Sequence, residues 1–141
     1  MACPDTHPEW TFHMINDRTG VDILLLFCLR FERGMVTGTV SDEFGRPLST
    51  DTSVRGITLH DKRPRKDFTT LNFRWDNGTQ AIRIFMVGFI FVDDDNVNVF
   101  QGRFIAQATG IGLLEVAVES ARERSGGPDS GDTGTGNGQQ T

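Results

Sequence analysis

Two long runs of this chain are apolar at odd and even positions alike, and this limits its fold more than any other feature. From Ile23 to Glu32, one parity carries Ile23, Leu25, Phe27, Leu29 and Phe31. The other carries Leu24, Leu26 and Cys28 before turning charged at Arg30 and Glu32. From Thr79 to Val92, Ile82, Ile84, Met86 and Ile90 alternate with Phe85, Val87, Phe89 and Phe91. Successive side chains of a strand point to opposite faces, so strands of this kind need cover on both sides. A sheet rolled into a barrel covers its own inner side. A partner subunit is the simplest cover for the outer one.

Shorter runs keep the same period. Arg33-Gly34 makes a tight turn into Met35–Ser41, and Ser53–His60 alternates in its turn. In Phe68–Trp75 the pattern sends Leu71, Phe73 and Trp75 inward and Thr70, Asn72 and Arg74 outward. Val97–Ala106 reads as a further strand. Turn residues fill Ser41–Pro47, Asp93–Asn96 and Asp76-Asn77-Gly78. Asn-Gly in the last takes the positive φ values of a primed hairpin turn. Pro64 keeps the charged loop Asp61–Asp67 out of any central strand. Together these signs predict an all-β fold, an antiparallel up-and-down barrel of seven or eight strands. Closure would remove the exposed edges that such a sheet otherwise carries.

The C-terminal side reads differently. Residues 111–124 alternate well enough for a strand that closes the barrel, but their Leu, Glu, Ala and Arg content favours a C-terminal helix. Residues 125–141 hold Gly, Ser, Thr, Asp, Asn and Gln with no large apolar side chain. Such a segment buries too little to offset its ordering entropy, so it is expected to be a disordered tail. The expected organisation is a barrel domain over 8–124 and a tail over 125–141.

Fourteen Lys and Arg against nineteen Asp and Glu give a net charge of −5, which disfavours nucleic-acid binding through bulk charge. No window holds the roughly eighteen apolar residues of a membrane helix. The opening MACPDTHPEW has neither the basic nor the apolar region of a signal peptide. The expected compartment is cytoplasmic, with secretion open if a leader has been removed. Cys3 and Cys28 form no metal spacing. Cys28, in the most apolar run, is expected as a buried free thiol, with a bond to Cys3 as the alternative.

Local motifs for chemistry are sparse. His7, His13 and His60 are isolated, so no metal site is expected. Asp93–Asn96 reads as an acidic turn rather than a calcium loop. The basic stretch His60–Asp67 reads as a solvated hairpin loop, with an anion contact as its alternative. No nucleophile elbow or phosphate-cradling glycine loop occurs, and no cofactor is implied. Phe73 and Trp75 are inward aromatic residues suited either to a core or to the floor of a pocket.

Three stretches in order resemble the avidin and streptavidin family. They are Glu9-Trp10-Thr11, Arg33-Gly34-Met35-Val36-Thr37-Gly38-Thr39-Val40, and Phe73-Arg74-Trp75 followed by Phe85-Met86-Val87-Gly88-Phe89-Ile90. The similarity covers roughly residues 9–106. It implies an eight-stranded barrel with a ligand cavity at one open end, assembled as a dimer or tetramer through its walls. Trp75 and, by register, Asn16 stand at family contact positions. The family's Asn after the first Trp is Phe12 here, and its Tyr after Thr-Gly-Thr is Val40. The sequence contains no Tyr, and its two Trp are Trp10 and Trp75. Each missing buried hydrogen-bond partner would cost a polar ligand about 1–3 kcal/mol. The resemblance therefore implies an avidin-like or broader calycin-like barrel whose ligand, if any, is not biotin. Trp10, Phe12, Asn16, Val40, Phe73 and Trp75 are the candidate ligand-binding residues.

Three functions compete. The leading one is a non-catalytic barrel binding a small hydrophobic or aromatic molecule. The second is a structural or interaction module that forms a homo-oligomer through its outer faces. The third is a barrel-lumen enzyme such as a cyclase or isomerase, which requires a His or carboxylate directed into the cavity.

Overall fold

The alternating runs become antiparallel strands in the computed structural model, which describes residues 3–62, 66–76, 81–109 and 131–141. In chain order these are β1 (Glu9–Asn16), β2 (Asp22–Glu32), β3 (Met35–Asp42), β4 (Ser53–Asp61), β5 (Lys66–Asp76), β6 (Ala81–Val92), β7 (Asn98–Thr109) and β8 (Gly131–Gln140). Each strand pairs with the next, and β8 returns to pair with β1, so the sheet is a closed barrel. Arg33 and Gly34, at φ 54° and 76°, form the two-residue turn between Glu32 and Met35. Positive φ at both positions matches the twist of the flanking strands, which explains the tightness of this hairpin.

The inward parity fills the lumen. Leu25, Phe27 and Leu29 of β2 are buried, as are Leu71 and Phe73 of β5 and Ile84 and Met86 of β6. A row of rings crosses the interior. Phe100 lies 5.3 Å from Phe12, Phe12 lies 4.7 Å from Phe27, and Phe27 meets Phe73 edge-on at 5.3 Å. Tilted and edge-on contacts at these spacings suit the ring quadrupoles. The middle of the barrel is a packed core and not a channel.

The disordered tail expected over 125–141 requires correction from residue 131 onward, because Gly131–Gln140 is the strand that closes the barrel, while 125–130 lie outside the described residues. Its large apolar side chains are supplied by its neighbours. Gly134, Gly136 and Gly138 face inward, and Thr133, Thr135, Asn137 and Gln139 face outward. Gly138 stands opposite Phe12 on β1 and Phe100 on β7. Gly134 stands opposite Asn16 and Phe104. The rings of Phe12 and Phe104 occupy the space that a Cβ on these glycines would need. Aromatic side chains laid over cross-strand glycine restore the packing that glycine lacks.

Polar ties hold both ends of β8. At one end the Asp17 amide donates to the Thr133 carbonyl at 2.9 Å, and the Thr133 hydroxyl donates to Asp17 Oδ2 at 3.0 Å. Arg103 forks onto the same carboxylate. Hydrogen bonds from Arg103 and Thr133 hold the Asp17 carboxyl below its ordinary value. At the other end the Thr141 amide donates to the Glu9 carbonyl at 2.9 Å.

Cys28 is not the free thiol expected from the sequence. It is bonded to Cys3, with Cα atoms 5.5 Å apart. Cys28 lies on the outward parity of β2, and Glu9 pairs with it across β1. The Leu29 amide donates to the Pro8 carbonyl at 3.0 Å, extending the β1–β2 ladder by one residue, and the disulfide lays the chain ahead of it over the outer face at Cys28. The N-terminal segment thus covers Cys28, a role the sequence reading gave to a partner subunit. The helix considered for 111–124 and the turn residues Asn77 and Gly78 lie outside the described residues. Asp76 nevertheless pairs with Ala81, as a hairpin requires.

Candidate functional site

In an up-and-down barrel the β1–β2, β3–β4, β5–β6 and β7–β8 connections share one mouth. Part of this mouth is filled by the β3–β4 loop. Leu48 joins the core there, its carbonyl accepts from the Asp76 amide at 2.8 Å, and the Ser49 hydroxyl donates to Asp76 Oδ2 at 2.8 Å. At the same mouth the described residues form a cup of about 180 Å³, and the β7–β8 connection lies outside the described residues. Met14 and Asn16 of β1 line it, with Val21 and Ile23, Trp75 of β5, Ile82 and Ile84 of β6, and Phe104 and Ala106 of β7. The row of Phe rings closes the barrel below.

Alternation explains this lining. Continuing inward from Trp10 and Phe12, the next β1 positions are Met14 and Asn16. Trp75 pairs with Ile82 across the β5–β6 ladder, so one wall carries indole against isoleucine. None of the described lining residues is charged, and none is a histidine.

Asn16 is the polar side chain of the cup. Its Oδ1 accepts the Arg18 amide at 2.8 Å and the Thr19 amide at 3.0 Å. This Asx turn shapes the bend between β1 and β2 and fixes which way the side-chain amide points. Asp17, next in sequence, stays ionised at the rim through Arg103 and Thr133. Asp51, in the loop before β4, is likewise held below its ordinary value, first by the Ser53 hydroxyl at 2.6 Å and then by the Ser53 amide at 3.0 Å.

The structure divides the six candidate residues. Asn16 and Trp75 come together at the cup. Trp10, Phe12, Val40 and Phe73 are buried in the core cluster beneath it. Alternation singles out Phe73 and Trp75, and the family resemblance adds Trp10, Phe12, Asn16 and Val40, but neither tells how far along the barrel axis a residue sits. Met14, Val21, Ile23, Ile82, Ile84, Phe104 and Ala106 also line the cup and are not among the candidates from sequence. The available signal was their shared position, at inward places within a few residues of turns on the same mouth.

Two histidines pair with carboxylates outside the cup. His13 Nδ1 lies 3.0 Å from Asp22 on the outer face of β1 and β2. His60 Nδ1 lies 2.5 Å from Asp67 where β4 and β5 approach their connecting loop. In the acidic turn, Asp93 Oδ1 accepts the amides of Asp95 and Val97 at 2.9 and 3.0 Å. Its carboxylate therefore caps a bend. Residues 63–65 of the basic loop lie outside the described residues.

Comparison with protein-family models finds no match, and neither does comparison with curated protein sequences. The eight-stranded antiparallel closed barrel is consistent with a calycin-like or avidin-like fold.

Proposed function

We propose that this protein is a non-catalytic binding barrel that takes a small apolar or aromatic molecule in the cup beside Trp75. It would be an avidin-like barrel with a ligand other than biotin. The observation that carries this reading is the cup itself, an apolar recess of about 180 Å³ above the row of packed Phe rings. An apolar protein cavity of about 150 Å³ is enough to hold benzene. The recess suits one substituted ring. Titration with neutral substituted benzenes, ethylbenzene and acetophenone, is expected to quench tryptophan fluorescence saturably. Trp75→Phe should abolish the saturable part without a large change in thermal midpoint. No saturable change in the wild-type protein would overturn the reading.

A second reading is favoured by the outer wall. Met35, Ile57, Leu59 and Phe89 are exposed there at 58%, 45%, 60% and 43%. Register joins Met35 to Ile57, Leu59 to Phe68, and Phe68 to Phe89 across neighbouring strands. A contiguous apolar patch of this kind marks an association surface. We propose a homo-oligomer through the β3–β6 wall, compatible with ligand binding at the mouth. Light scattering should give a dimer or tetramer mass, reduced to that of a monomer by Leu59→Asp with Phe89→Asp. A concentration-independent monomer in the wild type would remove this reading. The Cys3–Cys28 bond supports an oxidising working compartment in place of the cytoplasm expected from sequence.

A further inference from the structure

We infer that the molecule held in the cup is uncharged and presents a hydrogen-bond acceptor, a carbonyl or ether oxygen on a single apolar ring, to the Asn16 side-chain amide. The inference rests on the cup being a ligand site and narrows what that ligand is. The described lining carries no charged side chain. An ionised ligand would lose its hydration there without gaining a counter-ion, which strongly disfavours it.

The hydrogen-bonding inventory then fixes the polarity of the ligand. A side-chain amide oxygen has two lone pairs, and its nitrogen has two donors. Both lone pairs of Asn16 Oδ1 are engaged, by the amides of Arg18 and Thr19. The opposite amide orientation would set an NH2 group against two backbone N–H groups, so the assignment is determined by its partners. Asn16 Nδ2 is left with no acceptor among the described residues, and so is Trp75 Nε1. Among the described residues, the lining side chains therefore bring free nitrogen donors and no free oxygen acceptor. Because the turn already holds the Asn16 amide, little further ordering is needed when an acceptor arrives.

Asn16→Asp tests this directly. The carboxylate keeps an oxygen for the Arg18 and Thr19 amides, so the turn survives, while the donor toward the cup becomes an acceptor. Acetophenone and ethylbenzene differ in the acceptor and have similar shape. Comparing each ligand between wild type and variant cancels their different affinities for water. Acetophenone binding should weaken about tenfold in the variant, the size of one lost hydrogen bond with an acceptor placed in its way. Ethylbenzene binding should stay within about twofold, which also reports that the cup is intact. Benzoate, similar in shape but charged, should bind the wild type far more weakly than acetophenone. Equal weakening of acetophenone and ethylbenzene, or benzoate binding as tightly as acetophenone, would overturn the inference and leave the cup as a site. If neither neutral ligand binds the wild type, the binding reading itself fails.

Discussion

Gly138→Val should keep the eighth strand from seating, destabilising the barrel by about 3 kcal/mol or more. A Cβ at this position would lie 2.4 Å from Phe12 Cε1 and 2.5 Å from its Cζ. The ring has little room to withdraw, because Phe27 and Phe100 pack on it at 4.7 and 5.3 Å. Gly134→Val should be at least as severe, since its Cβ would meet the Ile15 carbonyl oxygen at 2.0 Å and backbone cannot rotate aside. Gly136→Ala is the informative contrast. Its nearest obstacle is Met86 Sδ at 2.7 Å, at the flexible end of a side chain that repacks easily. Urea unfolding of the three variants should place Gly136→Ala close to wild type and the other two far below it. Phe12→Leu should restore part of the loss in Gly138→Ala, a coupling expected only of residues in contact. Equal midpoints across the series would mean that β8 does not pack against these rings.

Reduction of the Cys3–Cys28 bond should remove about 3–4 kcal/mol, the loop-closure value for cysteines 25 residues apart. The effect acts first on residues 3–8, which lose their covalent tie to β2 and keep the Leu29–Pro8 hydrogen bond as an anchor. Cys3→Ala isolates the tie, because it leaves the Cys28 side chain in place. Its urea midpoint should match that of the reduced wild type, and reductant should then have no further effect. Limited proteolysis should cut the segment before Glu9 after reduction and spare it in the oxidised protein. A midpoint indifferent to reductant would refute the role of this bond in stability.

How much of this was readable in the sequence follows from what each residue type signals. The strands from Glu9 to Thr109 carry enough large apolar side chains at alternate places, densest in β2, β5 and β6, for the alternation to be read. The eighth strand escaped because hydrophobic periodicity counts side chains, and β8 contributes absences. Its signal was also period two, in Gly134, Gly136 and Gly138 set between Thr, Asn and Gln. Glycine at alternate places marks a strand whose neighbours fill its inner face. The disulfide was unreadable for another reason. Cys28 meets Cys3 because the N-terminal segment turns back over β2, a path that no local pattern announces. At the site, Asn16 and Trp75 could be singled out, while Trp10, Phe12, Val40 and Phe73 could not be told from them. Depth along the axis depends on strand stagger, which emerges only once all eight strands are in register.

The order of the strands has a consequence for synthesis. Seven of them leave the ribosome before the closing one exists, so β1 and β7 wait as open margins of an unfinished cylinder. Such margins invite pairing with other nascent chains. A final strand made of glycine and small polar residues adheres poorly to foreign strands and gains its hold chiefly where Phe12, Phe100 and Phe104 already stand in place. Its blandness thus acts as proofreading, favouring the one slot whose walls were built to receive it.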